Sequence, residues 1–147
     1  MTPENSKPVV NQIYANYEEA LSACSGLGYS MQELTEVVVK KNIAMKQSLT
    51  RDQFLGSDAT RTLMSIGFAL NSQSVRVLDF GGGGGYHYTL ARLALGEECH
   101  IKWNVVETET MCQSARPMED GCLKFFSTIS AAEKDLGHAD LLLSSSA

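Results

Sequence analysis

The chain has 147 residues, 44% of them hydrophobic and 20% charged, which is enough apolar material for one globular core and unlike a disordered segment. Its formal net charge is -5 and its sequence pI about 5.1, and Lys40-Lys41 is its one basic doublet. A nucleic acid or an anionic membrane surface, both of which attract clustered Lys and Arg, is therefore not expected as the main partner. No apolar run approaches the roughly 20 residues of a spanning helix, and Met1 to Ser6 lack a basic stretch leading into an apolar one. A cytoplasmic chain without a membrane span is the expectation.

The first part of the chain has helical periodicity. Val10, Ile13, Tyr14, Tyr17, Leu21 and Cys24 recur at three- and four-residue steps and predict a helix over 8–25, with Ser6 and Pro8 suited to its start and Gly26 and Gly28 to its stop. Ser30 and Glu33 form a capping box for a second helix ending near Gln47, with an apolar face of Leu34, Val37, Val38 and Met45. Ser57 or Asp58 is expected to cap a third helix whose face is Leu63, Ile66, Gly67 and Leu70 and which ends at Asn71-Ser72. Residues 1–73 are thus expected to be a helical extension.

From Val75 the period changes. Strands are predicted at 75–80, 101–107, 123–126 and 140–145, alternating with helices at 86–95, 109–116 and 129–136. Such alternation implies right-handed crossovers and a parallel α/β sheet covered on both faces, over residues 74–147. The four cysteines, Cys24, Cys99, Cys112 and Cys122, include no Cys-x-x-Cys pair and no His at ligand spacing, so reduced thiols and no metal site are expected.

The first strand runs into five consecutive glycines, Gly81 to Gly85, between apolar flanks that argue against a flexible linker. A Walker-type loop needs Lys-Ser or Lys-Thr after its last glycine, but Tyr86 and His87 follow. The dinucleotide pattern Gly-x-Gly-x-x-Gly fails in every register, because its last position falls on Tyr86, His87 or Tyr88. What fits is an acid on the strand followed by alternate glycines: Asp79, Gly81, Gly83, Gly85.

That arrangement resembles the first motif of class I S-adenosylmethionine-dependent methyltransferases. The resemblance implies a Rossmann-like sheet of order 3-2-1-4 and S-adenosylmethionine as cofactor. Gly81, Gly82, Gly83 and Gly85 would lie beneath it, with Tyr86 walling the pocket. Asp79 would hold the loop and, directly or through water, the ammonium end. Glu107, ending the second strand, would take both ribose hydroxyls, with Thr108 beside it, although Glu109 could compete for that role. Thr128, after the third strand, stands where the family often has an acid toward adenine, and Ser144 stands at the fourth-strand end, where the family's cofactor faces its acceptor, so both would join the cofactor site. His87 is the one histidine beside the glycines and the one candidate base, otherwise a packing or capping residue of the helix start. Together with Tyr86-His-Tyr88, Lys102-Trp-Asn-Val-Val-Glu-Thr108, Asp140-Leu-Leu-Leu-Ser-Ser145 and Gly28-Tyr29, these motifs are similar to a family of bacterial methyltransferases sometimes encoded with surface-polysaccharide genes. A sugar or another small molecule would be the acceptor.

The family's sheet has seven strands, ordered 3-2-1-4-5-7-6, and this sequence supplies four. The expectation is a chain truncated after the fourth strand, or one that self-associates through that strand's edge. Two rival functions stay open: a non-catalytic cofactor-binding or interaction module, and a nucleotide-dependent oxidoreductase.

Overall fold

The computed structural model describes residues 13–23, 31–48, 56–71 and 74–144. Strands β1 (Ser74–Phe80), β2 (His100–Val106), β3 (Leu123–Phe126) and β4 (Leu141–Ser144) form one parallel sheet in the order β3-β2-β1-β4. Helices α4 (Tyr86–Leu95), α5 (Glu109–Ala115) and α6 (Ile129–Leu136) make the three crossovers. The fold is α/β and Rossmann-like, with the strand order expected from the sequence.

Local chemistry sets the boundaries. α4 starts after Gly85 and ends at Gly96, both at positive φ (81° and 76°), which a glycine adopts without the steric cost borne by other residues. α5 and α6 start at Thr108 and Thr128, whose hydroxyls accept from the backbone N–H of Met111 and Ala131. The alternation of β1 sends Val75, Val77 and Asp79 to one face and Arg76, Leu78 and Phe80 to the other.

The first face is the main core. Val75, Val77, Ile101, Trp103 and Val105 pack there with Ala91 of α4 and Met111 of α5. Val39 of α2 (Gln32–Ser48) and Ile66 of α3 (Ser57–Ala69) belong to the same cluster, so these two helices share the core of the sheet. The second face buries Leu78 and Val106 under Ala132 and Leu136 of α6. There α6 packs against β1, β2 and β3, while Leu142 of β4 is 64% exposed and Phe80 40%. At the other end of β1, Arg76 grips Asp140: its backbone N–H donates to Oδ2 at 2.8 Å, and its guanidinium donates to Oδ2 and Oδ1 at 3.1 Å each. Among the described residues no helix is long and apolar enough to cross a membrane.

The helical segment differs from its sequence reading in three places. The described part of the first helix is α1 (Tyr17–Ala23); residues 13–16 are not helical, and Ile13 is 96% exposed, so nothing among the described residues covers its apolar side chain. The buried stripe of α2 runs through Thr35 and Val39, with Leu34 and Val37 exposed. Its neighbour explains this, because Thr35 Oγ1 lies 3.3 Å from Ser114 Oγ on α5 and that hydroxyl pair sets the docking face. α3 is capped by Gly56, which has no side chain to offer, so Ser57 is already the first helical residue and not the cap. Ser30, Cys24 and Gly28-Tyr29 lie outside the described residues, as does Ser145. Cys99, Cys112 and Cys122 are free thiols.

Candidate functional site

The topology decides where a site can form. β1 leads through α4 to β2 on one side, and the chain returns through α6 to β4 on the other, so strand order reverses between β1 and β4 and a crevice opens beyond their carboxyl ends. A cavity of about 620 Å³ lies there. The turn after β1 contributes Gly81, Gly82 and Gly83 to its lining, the start of α4 contributes Tyr86 and His87, and β4 contributes Leu143 and Ser144; α2 contributes Val38 and Asn42, and α3 contributes Arg61, Thr62 and Ser65.

The glycine turn is built from two interleaved requirements. Gly81, Gly83 and Gly85 sit at φ 74°, 56° and 81°, so the alternation seen in the sequence is an alternation of backbone handedness. The two glycines between them are required by close approach of protein atoms. A Cβ on Gly82 would lie 2.5 Å from Asp79 Oδ2, and one on Gly84 would lie 2.5 Å from Asn42 Nδ2. Gly85 faces Leu123, whose Cδ2 would be 3.0 Å from an added Cβ, so its place is in the core and not on the cavity floor.

Asp79 lies directly under this turn and is fully buried. Its Oδ2 accepts from Trp103 Nε1 at 3.1 Å and lies 3.4 Å from His87 Nδ1. Its Oδ1 is buried with no hydrogen-bond partner among the described residues. An ionised carboxylate in that position is costly to bury, and an orphaned acceptor calls for a donor.

The other half of the carboxyl edge is different. Glu107, just past β2, accepts from the backbone N–H of Gly83 at 3.0 Å through Oε1 and from that of Thr108 at 3.0 Å through Oε2. Thr108 and Thr128 spend their hydroxyls as helix caps. None of the three lines the cavity, although Glu107 touches the turn that does. Glu109 is exposed and pairs with Gln113 in its own helix. Behind Glu107, burial pushes the Cys112 thiol up to about 11, against the opposing contact of its sulfur with the Glu107 carbonyl, so it is a neutral packing group.

The candidates from the sequence therefore divide. Gly81, Gly82, Gly83, Tyr86, Ser144 and His87 meet at one cavity with Asp79 beneath it, whereas Glu107, Thr108 and Thr128 lie beside it and Gly85 behind it. Sequence reasoning missed Asn42, Val38, Arg61, Thr62 and Ser65. The only available signal was their i, i+4 spacing within α2 and α3, which groups each set on one helix face without saying what that face meets. Among the described residues no cluster of three His, Cys, Asp or Glu is placed to hold a metal ion.

No protein-family model and no curated protein sequence matches the chain. Among solved structures, a protein-L-isoaspartate O-methyltransferase is similar at 15% sequence identity and a TM-score of 0.46. The match covers 78% of this chain and 47% of that one, so the chain spans about half that structure's length.

Proposed function

We propose that the chain binds S-adenosylmethionine over the glycine turn and serves as a methyltransferase, or as the cofactor-binding half of one. The observation that carries this reading is the fully buried Asp79 with an unpartnered Oδ1, set under a glycine turn at the reversal of strand order. An ammonium-bearing ligand supplies the missing donor, directly or through water, and the left-handed glycines leave the floor free of side chains. Tyr86 and Ser144 would wall the pocket. Glu107 would hold the ribose hydroxyls by exchanging its present bonds to the Gly83 and Thr108 N–H groups, with Thr108 and Thr128 nearby. When bound, S-adenosylmethionine supplies a methyl group activated by its attachment to a sulfonium. The acceptor is a small molecule or sugar.

A second reading is favoured by one observation: the outer edge of β4 has no neighbour among the described residues, and Leu142 is 64% exposed beside it. In that reading the chain is a cofactor-binding module that associates through β4, with another copy or with the rest of an enzyme. Calorimetry with S-adenosylmethionine, S-adenosylhomocysteine and NAD tests both. Micromolar binding of the two sulfur ligands is expected; binding of NAD alone would sink the methyltransferase reading, and binding without turnover on any acceptor would favour the module.

A further inference from the structure

We infer that His87 takes the proton of the methyl acceptor and that Asp79 positions it, so the acceptor is a molecule whose methylated atom carries a proton that must leave, a hydroxyl or an amine. This rests on the reading that the cavity holds S-adenosylmethionine.

The two ring nitrogens of His87 have different surroundings. Nδ1 lies 3.4 Å from Asp79 Oδ2, an oxygen already fixed by Trp103 Nε1 at 3.1 Å. A carboxylate only accepts, so Nδ1 carries the hydrogen of that contact, and in the neutral ring the lone pair is then on Nε2. The histidine is only 9% exposed, and its ring lies in the cavity wall. Nε2 makes no hydrogen bond among the described residues, yet it is not one of the fully buried unsatisfied atoms, which are Asp79 Oδ1 and Asn104 Oδ1 alone. A nitrogen that is neither paired nor sealed, on a ring that lines a cavity, opens into that cavity. The Tyr86 ring packs beside it with centroids 5.5 Å apart, and Arg61 is the cation in the same lining. A histidine that merely filled the core would have its second nitrogen satisfied or enclosed.

The 3.4 Å contact is long for a hydrogen bond, as such contacts often are before a substrate tightens the site. The chemistry balances with these groups. As the methyl carbon leaves sulfur, the electron pair of the broken bond stays on sulfur. The acceptor heteroatom bonds to that carbon with its own lone pair, and its proton passes to His87 Nε2 and from there to water. Asp79 holds the ring through Nδ1 and faces the imidazolium that forms. Thr62, Ser65 and Ser144 line the same cavity and supply hydroxyls for a polar acceptor.

The test uses the full chain, labelled with ¹⁵N, in the presence of S-adenosylhomocysteine. Long-range ¹H–¹⁵N spectra report the tautomer of each of the three histidines. His87 should hold its proton on Nδ1, opposite to the usual preference in water; an Nε2–H tautomer would overturn the inference. Asp79→Asn should move the proton toward Nε2, and an unchanged tautomer would remove Asp79 from the positioning role. Should that variant not fold, the wild-type chain still decides through diethyl pyrocarbonate. His87 should be carbethoxylated within about tenfold of the rate of exposed His100, and resistance to the reagent would overturn an open Nε2. His87→Gln should bind S-adenosylhomocysteine within about threefold of wild type, whereas a loss beyond tenfold would make His87 a cofactor anchor instead. Failure of S-adenosylhomocysteine to bind the wild-type chain would remove the cofactor reading itself, an outcome distinct from all of these.

Discussion

The two halves of the carboxyl edge of the sheet meet their polar groups in opposite ways. Beyond β1 and β4, among the described residues, Asp79 keeps one oxygen without a donor and His87 one nitrogen without a partner, beneath and beside an open cavity. Beyond β2 and β3, every candidate is already engaged: Glu107 by two backbone N–H groups, Thr108 and Thr128 by the helices they cap. Under the proposed function the first half would gain hydrogen bonds from the ligand, while the second would exchange one set for another. Affinity should be drawn chiefly from the first half, with the second adding the difference between old and new bonds.

The most severe way to break this contrast is at Gly82. A methyl group there meets the fixed carboxylate of Asp79, so Gly82→Ala should cost about 3 kcal/mol in urea unfolding, whereas Gly84→Ala should cost under about 1 kcal/mol because the amide of Asn42 can swing away. Equal effects would mean that the turn, and not the buried acid, sets the requirement. Next in size, Trp103→Phe keeps most of the packing but removes the strongest donor to Asp79, and should destabilise the fold by about 2 kcal/mol. Glu107→Ala should weaken S-adenosylhomocysteine binding about tenfold, roughly 1.4 kcal/mol, in calorimetry. Unchanged affinity would assign the second half no ribose role. Thr128→Ala should cost about 1 kcal/mol of stability as a lost cap and leave affinity within twofold, since that hydroxyl is spent on Ala131.

The smallest effect concerns pH. Burial tends to raise the Asp120 carboxyl, but the N–H groups of Leu123 and Cys122 and the Tyr88 hydroxyl outweigh it and hold the group below the usual carboxylate range. A carboxyl with a depressed folded-state value contributes stability that is fully present above its unfolded value of about 3.9 and is lost as pH falls through the folded one. Thermal midpoints should therefore decline below about pH 4, less steeply in Asp120→Asn. The same slope in both proteins would dismiss that carboxyl as a contributor.

Residues that state their own local geometry were legible in the sequence. The bounds of α4 and α6 fall where the sequence predicts, at 86–95 and 129–136; the structure adds that Thr128 and Gly137 are the residues that bracket α6. Alternation of strands with helices foretold the parallel sheet, and the order β3-β2-β1-β4 was what the methyltransferase resemblance implied. Illegible were features that depend on which surfaces meet. The apolar spacing around Ile13 suggested a buried face, but nothing in the described structure covers Ile13, and a hydrophobic pattern does not declare whether a partner exists. Thr35 was passed over as polar, yet it is fully buried because its hydroxyl meets Ser114, 79 residues away. Asn42 and Arg61 reach the cavity only because α2 and α3 dock over the glycine turn, and no local pattern encodes that docking. Even the five glycines misdirected in part, since Gly82 and Gly84 answer to Asp79 and Asn42 as much as to a ligand.

The clasp between Arg76 and Asp140 joins positions 64 residues apart, and it has a kinetic consequence. β1, β2 and β3 can pair in sequence order, but β4 must travel back past all of them to reach β1, so its closure carries the largest loop entropy in the sheet. Leu143 and Ser144, which β4 brings, finish the cavity wall. A refolding chain would thus hold its glycine turn before it holds a pocket, and a cavity-bound ligand would slow unfolding without hastening the early steps of folding.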